Sequence, residues 1–302
     1  MNVPKKTDFT KTIQNMQKYM KNDTAFAGIV IPESKEVSFE CPVHGHQTYT
    51  TYQQSDGSWI EPYCPICRAE QKKIENTLRE IQSDAKERAS DLAKAINSRK
   101  TSDYEIASFD VYIPETLEEK KNLDVAKRFA ERFTIREIER EHAHQAQERD
   151  WHKKNSVGLA LLGNYGTGKT LLAYSILKSL EAQGIPGYYI TIPDLFDALT
   201  NTNDRLDVAN VMKKLAVVSC LVLDELGVQS GTEYERKRLY QIIDGRIKNG
   251  RPTIIISNLD RDELNRLMTE RVMDRIRAAC YTLSFTGRSR REKVSQEAEE
   301  VF

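Results

Sequence analysis

The sequence predicts an α/β fold: a parallel sheet flanked by helices, preceded by a small zinc-binding hairpin and a long helix. Three observations point to it. From residue 157 onward short apolar runs (VGLALLG, GYYITI, CLVLDE, PTIIIS and CYTLSF) alternate with helical stretches. Such runs are continuous rather than alternating, as expected of strands buried on both faces, and strand–helix alternation gives a parallel sheet. The octapeptide GNYGTGKT joins the first run to a helix. In the first quarter, two close Cys/His pairs stand about twenty residues apart, a spacing suited to one metal ion.

Residues 1–25 read as a short polar helix or arm with few apolar anchors. In the next segment the alternating QTYTTY reaches the turn signal SDG and continues as SWIEPY, which predicts a β-hairpin. Around it lie Cys41, His44, Cys64 and Cys67, a donor set for a closed, structural Zn²⁺ site. His46 competes for the fourth position, with His44 preferred on spacing. Gly45 would let backbone amides turn toward a thiolate. Cys220 and Cys280 stand alone in apolar or helical stretches and read as small buried residues.

A charged helix from about Ala69 to Ser98 carries Ile74, Leu78, Ile81, Ala85, Ala89, Leu92 and Ile96, a narrow apolar seam that needs a partner. A hinge at SRKTSD places the boundary near residue 100, dividing the chain into 1–100 and 101–302. After SFDVYIP come a helix around EEKKNLDVAKRFAERF and a charged run whose His142 and His144 read as solvated.

Gly163, Asn164, Tyr165, Gly166, Thr167, Gly168, Lys169, Thr170 and the following Leu171 form the phosphate site. Its pattern G-x-x-x-x-G-K-[ST] lies between a buried strand and a helix that ends on Gly184. Glycines let successive N–H groups wrap phosphates, and the helix N-terminus adds its positive dipole end. Lys169 would reach the β- and γ-phosphates and Thr170 would bind Mg²⁺. CLVLDELG ends a strand on adjacent carboxylates, which buried packing alone does not favour. Asp224 would hold Mg²⁺ through water and Glu225 would polarise the attacking water. Asn258, after IIIS, would fix that water or sense the γ-phosphate, since open α/β sheets bind ligands beyond their strand carboxyl ends. In TERVMDRIRAAC, helical spacing puts Val272, Met273, Ile276, Ala279 and Cys280 on a core side, with Arg271 and Arg275 on an adjacent face.

Bulk composition excludes some classes. Lys+Arg and Asp+Glu are both 45 in 302 residues, so a protein coating nucleic acid through net positive charge is not expected. No run approaches the roughly 18 apolar residues of a membrane span, and the first residues lack an apolar signal core. A cytoplasmic protein with no membrane partner is expected.

The order of these pieces resembles the AAA+ ATPases and, within them, the DnaC/DnaI-type helicase loaders, over roughly residues 105–292. LDELGVQSGTEYE, IIDGRIKNGRPTIIISN and above all ERVMDRIR carry the resemblance. It implies ATP as the nucleotide, with Arg275 as the arginine finger acting on a neighbouring subunit's ATP and Arg271 as its companion. It further implies that GRSRRE is a second sensor, with Arg290 in preference to Arg288 reaching ATP in cis. The partners implied are a hexameric replicative DNA helicase gripped by residues 1–100, single-stranded DNA, and further copies of the chain assembling with ATP. The seam of the long helix would be the docking element. Gln229, Ser230, Lys213 and Lys214 are candidate DNA contacts. Helper ATPases of transposition systems share the same core and form the alternative. A P-loop kinase fits less well, because Glu225 suits water activation and the late arginines have no role unless subunits meet. A non-catalytic adaptor using ATP as a switch ranks third, since every hydrolytic part is present.

Overall fold

The computed structural model describes residues 33–54, 56–59, 63–96, 102–146, 157–200, 205–227 and 232–290. The predicted N-terminal arm, the hinge around 97–101, and Gln229 and Ser230 lie outside these residues. The chain forms two compact units, residues 1–73 and 74–302.

In the first unit β1 (Ser34–Cys41) pairs antiparallel with β2 (Gly45–Tyr52). The chain turns at SDG as predicted, closed by the antiparallel bridge Gln53–Trp59, with residues 60–62 outside the described residues. QTYTTY also pairs with the preceding SKEVSFEC, a strand the sequence reading does not include. The register Cys41↔Gly45 closes the strands over Pro42, Val43 and His44, and Gly45 takes the left-handed φ of 67° at the turn. The signal missed in the sequence was that C-P-V-H-G is itself a tight turn.

The long helix α1 spans Pro65–Ile96, starting four residues earlier than its apolar pattern suggested. Proline is well suited to the first helical turn, where its missing N–H costs nothing. Within the second unit Ile81, Ala85 and Leu92 of α1 are buried in the core, with Leu78, Ala89 and Ile96 packed against it. From Leu78 to Ile96 the seam is therefore covered by this chain's own core and is not a free docking stripe, while Ile74 at its start is exposed. Lys214 also points inward, donating from Nζ to Asp91 O of α1 at 3.2 Å.

Short α2 (Ser102–Ile106) leads through an irregular stretch to α3 (Leu117–Glu131) and α4 (Phe133–Gln145). Five strands follow: β3 (Gly158–Gly163), β4 (Tyr188–Thr191), β5 (Leu221–Asp224), β6 (Thr253–Ser257) and β7 (Cys280–Phe285). They form one parallel sheet in the order β4-β5-β6-β3-β7. Alternate residues serve opposite faces. Ala160, Leu162, Leu223 and Ile255 enter one core cluster, and Leu159, Leu161, Val222 and Ile256 the other. Helices cover both: α5 (Lys169–Ala182), α6 (Ile192–Thr200), α7 (Arg205–Val217), α8 (Glu233–Lys248), α9 (Arg261–Leu267) and α10 (Glu270–Ala279). Capping boxes start α3, α8 and α9, pairing Thr116 with Glu119, Thr232 with Glu235 and Asp260 with Glu263.

Two buried charged groups fix the amino-terminal edge of the sheet. Arg246 donates to the carbonyls of Leu215, Val218 and Pro252 and to the Thr253 hydroxyl. Glu137 accepts from Arg251 and Arg140. Arg246 is tolerable in the interior because it is so fully bonded, whereas Glu137 is paired through Oε2 alone, its buried Oε1 having no hydrogen-bond partner among the described residues. Among the described residues no helix is long and apolar enough to cross a membrane.

Candidate functional site

At the carboxyl edge of β3 the chain enters the glycine-rich loop. Gly168 caps α5 with φ 88°, and a Cβ there would lie 2.7 Å from the Tyr112 ring, so both conformation and space demand glycine. The Thr167 hydroxyl donates to Asn164 O at 2.9 Å and tightens the turn. Tyr165 is exposed at the loop tip, whereas Leu171 packs against the core. Lys169 Nζ donates to the carbonyls of Gly163 and Asn164. Burial lowers its pKa to about 8, partly countered by the negative Asp224.

Thr170, at the start of α5, donates from Oγ1 to Asp224 Oδ2 at 2.8 Å, joining residues 54 apart in sequence. Tyr189 of β4 donates to the same oxygen at 3.0 Å, and the Glu225 N–H to Oδ1 at 2.6 Å. Tyr189 was not foreseen. A tyrosine in an apolar strand signals nothing until the sheet order sets β4 beside β5. Glu225 stands at φ 61°, the one non-glycine residue with positive φ among those described. Strain of this kind gathers at functional positions. Burial raises the Glu225 pKa, and the charges of Asp224 and Asp194 raise it further.

Sheet order also places Asn258. Strand β6 lies between β5 and β3, with Ser257 level with Leu162. Asn258 therefore emerges between the acidic pair and the phosphate loop. Behind it the Leu226 N–H donates to Ile256 O at 2.9 Å, and the Ser257 hydroxyl to Leu226 O.

Arg290 comes to the loop from the far end of the chain. Its N–H donates to Gly166 O at 2.8 Å, its guanidinium lies 4.3 Å over the Tyr112 ring, and Nη2 is 3.2 Å from Glu119 Oε1. Arg288 is exposed. The other arginines stand apart from this group. Arg275 Nε pairs with Asp244 Oδ1 at 2.9 Å, beside Tyr240 and Asp274. Arg271 is exposed on the same helix. Val272, Met273, Ile276, Ala279 and Cys280 are buried as their spacing predicts.

In the first unit Cys41, His44, Cys64 and Cys67 present donor atoms that all lie within 4.8 Å of one another. His44 Nδ1 is 3.8, 3.6 and 3.2 Å from the sulfurs of Cys41, Cys64 and Cys67. That is the edge length of a tetrahedron around a Zn²⁺ ion, so this set could hold one. The His44 N–H points to Cys41 Sγ at 3.4 Å and the Cys67 N–H to Cys64 Sγ at 3.5 Å. Hydrogen bonding, led by the Val43 N–H, lowers the Cys41 pKa to about 6 against the effect of burial. His44 Nε2 faces Glu70 at 3.6 Å, an orienting carboxylate the sequence pattern did not reveal. His46 turns instead to Glu40, and His142 and His144 are exposed on α4.

The family described as IstB-like ATP binding protein matches residues 113–298. The chain is 36% identical over 125 residues to the replicative helicase loader DnaC of Escherichia coli strain K12, covering 41% of this chain and 51% of that protein. It is 31% identical over 177 residues to the replicative helicase loader DnaC of Buchnera aphidicola subsp. Acyrthosiphon pisum, covering 58% and 64% respectively. The chain thus spans about half the length of the E. coli protein it matches. In fold it is similar to the crystal structure of the DnaI, with a TM-score of 0.51 at 22% identity over 62% of this chain and 95% of that one.

Proposed function

The chain belongs to the IstB-like ATP-binding family, and on that premise we propose that it is an ATP-dependent loader. It binds the hexameric replicative DNA helicase and delivers it onto single-stranded DNA during replication initiation. The observation that carries the hydrolytic half of this reading is the contact of Thr170 with Asp224 at 2.8 Å, beside Lys169 and Glu225. The relatives named replicative helicase loader support the other half and favour it over a transposition helper.

The parts divide the chemistry. N–H groups of residues 163–171 and the ammonium of Lys169 bind the phosphates. Thr170 and Asp224 supply the hard oxygen donors that would hold Mg²⁺, which when bound screens phosphate charge. Glu225 polarises the attacking water, and the rise in its pKa makes it a stronger proton acceptor than an ordinary carboxylate. Asn258 orients that water, and Arg290 meets the phosphates in cis. Arg275, with Arg271 beside it, acts on the ATP of the next copy, so the active site is completed by ATP-dependent assembly. A guanidinium in that place offsets charge developing during hydrolysis. In the single chain Arg275 is held by Asp244 and remains 36% exposed on its side chain.

Helicase binding belongs to the N-terminal region, residues 1–100, within which the Cys₃His site would hold Zn²⁺ as a structural brace. Residues 101–302 form the ATPase domain. Native mass spectrometry with Mg-ATP tests the reading. A complex of a helicase hexamer with several copies of this chain is expected. ATP-driven assembly on DNA without helicase would point to the transposition helper, and a monomer throughout would overturn both.

A further inference from the structure

The start of α3 and the segment after β7 are joined by bonds that the phosphate loop shares. Glu118 Oε1 accepts from the Thr286 N–H at 3.0 Å, and Asn122 Nδ2 donates to Ser284 O at 2.7 Å. On the other side Asn164 Nδ2 donates to the carbonyls of Thr286 and Gly287, both at 3.1 Å. Ser289 packs so tightly on Gly166 that a Cβ there would lie 2.2 Å from its hydroxyl. Arg290 sits where these contacts converge.

Its partner Glu119 is only 6% exposed, and the two carboxylate oxygens have separate tasks. Oε2 closes the helix cap, accepting from the N–H groups of Glu115 at 2.6 Å and Thr116 at 3.3 Å. Oε1 faces Arg290 Nη2 at 3.2 Å. Arg290 Nε and Nη2 are shielded from solvent yet have no well-aligned hydrogen-bond acceptor among the described residues. The guanidinium is thus held on this side by charge and by stacking on Tyr112.

We propose that Glu119 is the positioning residue for Arg290, holding one edge of its guanidinium so that the other stays directed at nucleotide phosphate. Tyr112 supports the same placement by filling the space between that guanidinium and Gly168. Arginine suits this task because its planar fork can bond two anions at once, which a single ammonium does poorly. A carboxylate as buried as Glu119 also opposes departure of its cation. The inference rests on the reading of Arg290 as the cis arginine of the nucleotide site.

Calorimetric titration of Mg-ATP into the full chain tests it. Glu119→Gln retains a side chain able to complete the capping box while removing the charge. Arg290→Ala and Glu119→Gln should each weaken ATP binding about tenfold, and the double variant should be no weaker than Arg290→Ala, the non-additivity of residues acting as a unit. If Arg290→Ala binds ATP normally, the cis-arginine reading itself fails. If Arg290→Ala is impaired but Glu119→Gln is not, or if their losses add, Glu119 does not act through Arg290. Should thermal melting show Glu119→Gln misfolded, Arg290→Lys takes its place. It should bind ATP as poorly as Arg290→Ala, and wild-type affinity would overturn the proposal.

Discussion

The Cys₃His cluster and the phosphate loop each gather donor atoms that could hold an ion, by opposite routes. In the first unit all donors come from two turns, one closing a hairpin and one opening a helix, between Cys41 and Cys67. Among the described residues of that unit only Cys41, Thr51 and Cys64 are buried, so little apolar core stands behind the donor set there. In the second unit the donors come from three neighbouring strands and from residue 290, gathered at one edge of a sheet with a core on each face. Removing the ion should therefore dissolve the first region, whereas the second should keep its shape without ligand.

The largest expected effect tests that difference directly. Chelation of zinc, or Cys64→Ser, should abolish amide-exchange protection in β1 and β2, because structural zinc supplies binding energy on the order of 10 kcal/mol. Nucleotide binding should stay within about twofold of wild type. Loss of ATP binding on chelation would break the comparison, and a stoichiometric preparation containing no zinc would remove its premise.

Next in size is Glu225→Gln, expected to slow hydrolysis by roughly 10²- to 10⁴-fold. Calorimetry should find ATP binding nearly unchanged. Hydrolysis at the wild-type rate would take Glu225 out of the chemistry and return the adaptor reading.

The third concerns pH. The folded pKa of Lys169, about 8, lies below its ordinary value of 10.5. Below pH 8 the ammonium is charged and meets the phosphates. Above it binding requires proton uptake, so ATP affinity should fall by about tenfold per pH unit until the pH reaches the higher pKa of the lysine in the nucleotide complex. Folding has the opposite sign. The cost of burying the ammonium is fully present below pH 8 and is relieved as pH rises toward 10.5. Titrations from pH 7.5 to 9.5 check the binding slope, and a flat profile would show that Lys169 does not contact phosphate. The smallest effect is that of Tyr189→Phe, which removes one donor from Asp224. Weaker Mg-ATP binding by about 1 kcal/mol is expected, with metal-free nucleotide binding unaffected.

The two regions also differed in how well the sequence revealed them. Cys41, His44, Cys64 and Cys67 were legible because a tetrahedral site restricts spacing within the chain itself. The turn at SDG was legible from its residues, but the pairing of SKEVSFEC with QTYTTY was not, since alternation marks a strand without saying which neighbour it meets. In the second unit all five strands and the helix after the phosphate loop stood out as apolar runs between turn signals. The long helix showed its seam but not its occupant, because an apolar stripe states the need for a partner without naming it.

By itself the sequence determined the strand–helix alternation, the phosphate loop, the acidic strand end and the Cys/His ligand pairs, all patterns written in neighbouring residues. Tertiary structure alone decided that β6 lies between β5 and β3, which sets Asn258 between Asp224 and the loop. It also brought Tyr189 to Asp224, Glu70 to His44, and Glu119 with Tyr112 to Arg290. The physical reason is the same in each case. A backbone turn or a helical stripe is a local preference, but a hydrogen bond between residues far apart in the chain exists only after packing has chosen which elements meet.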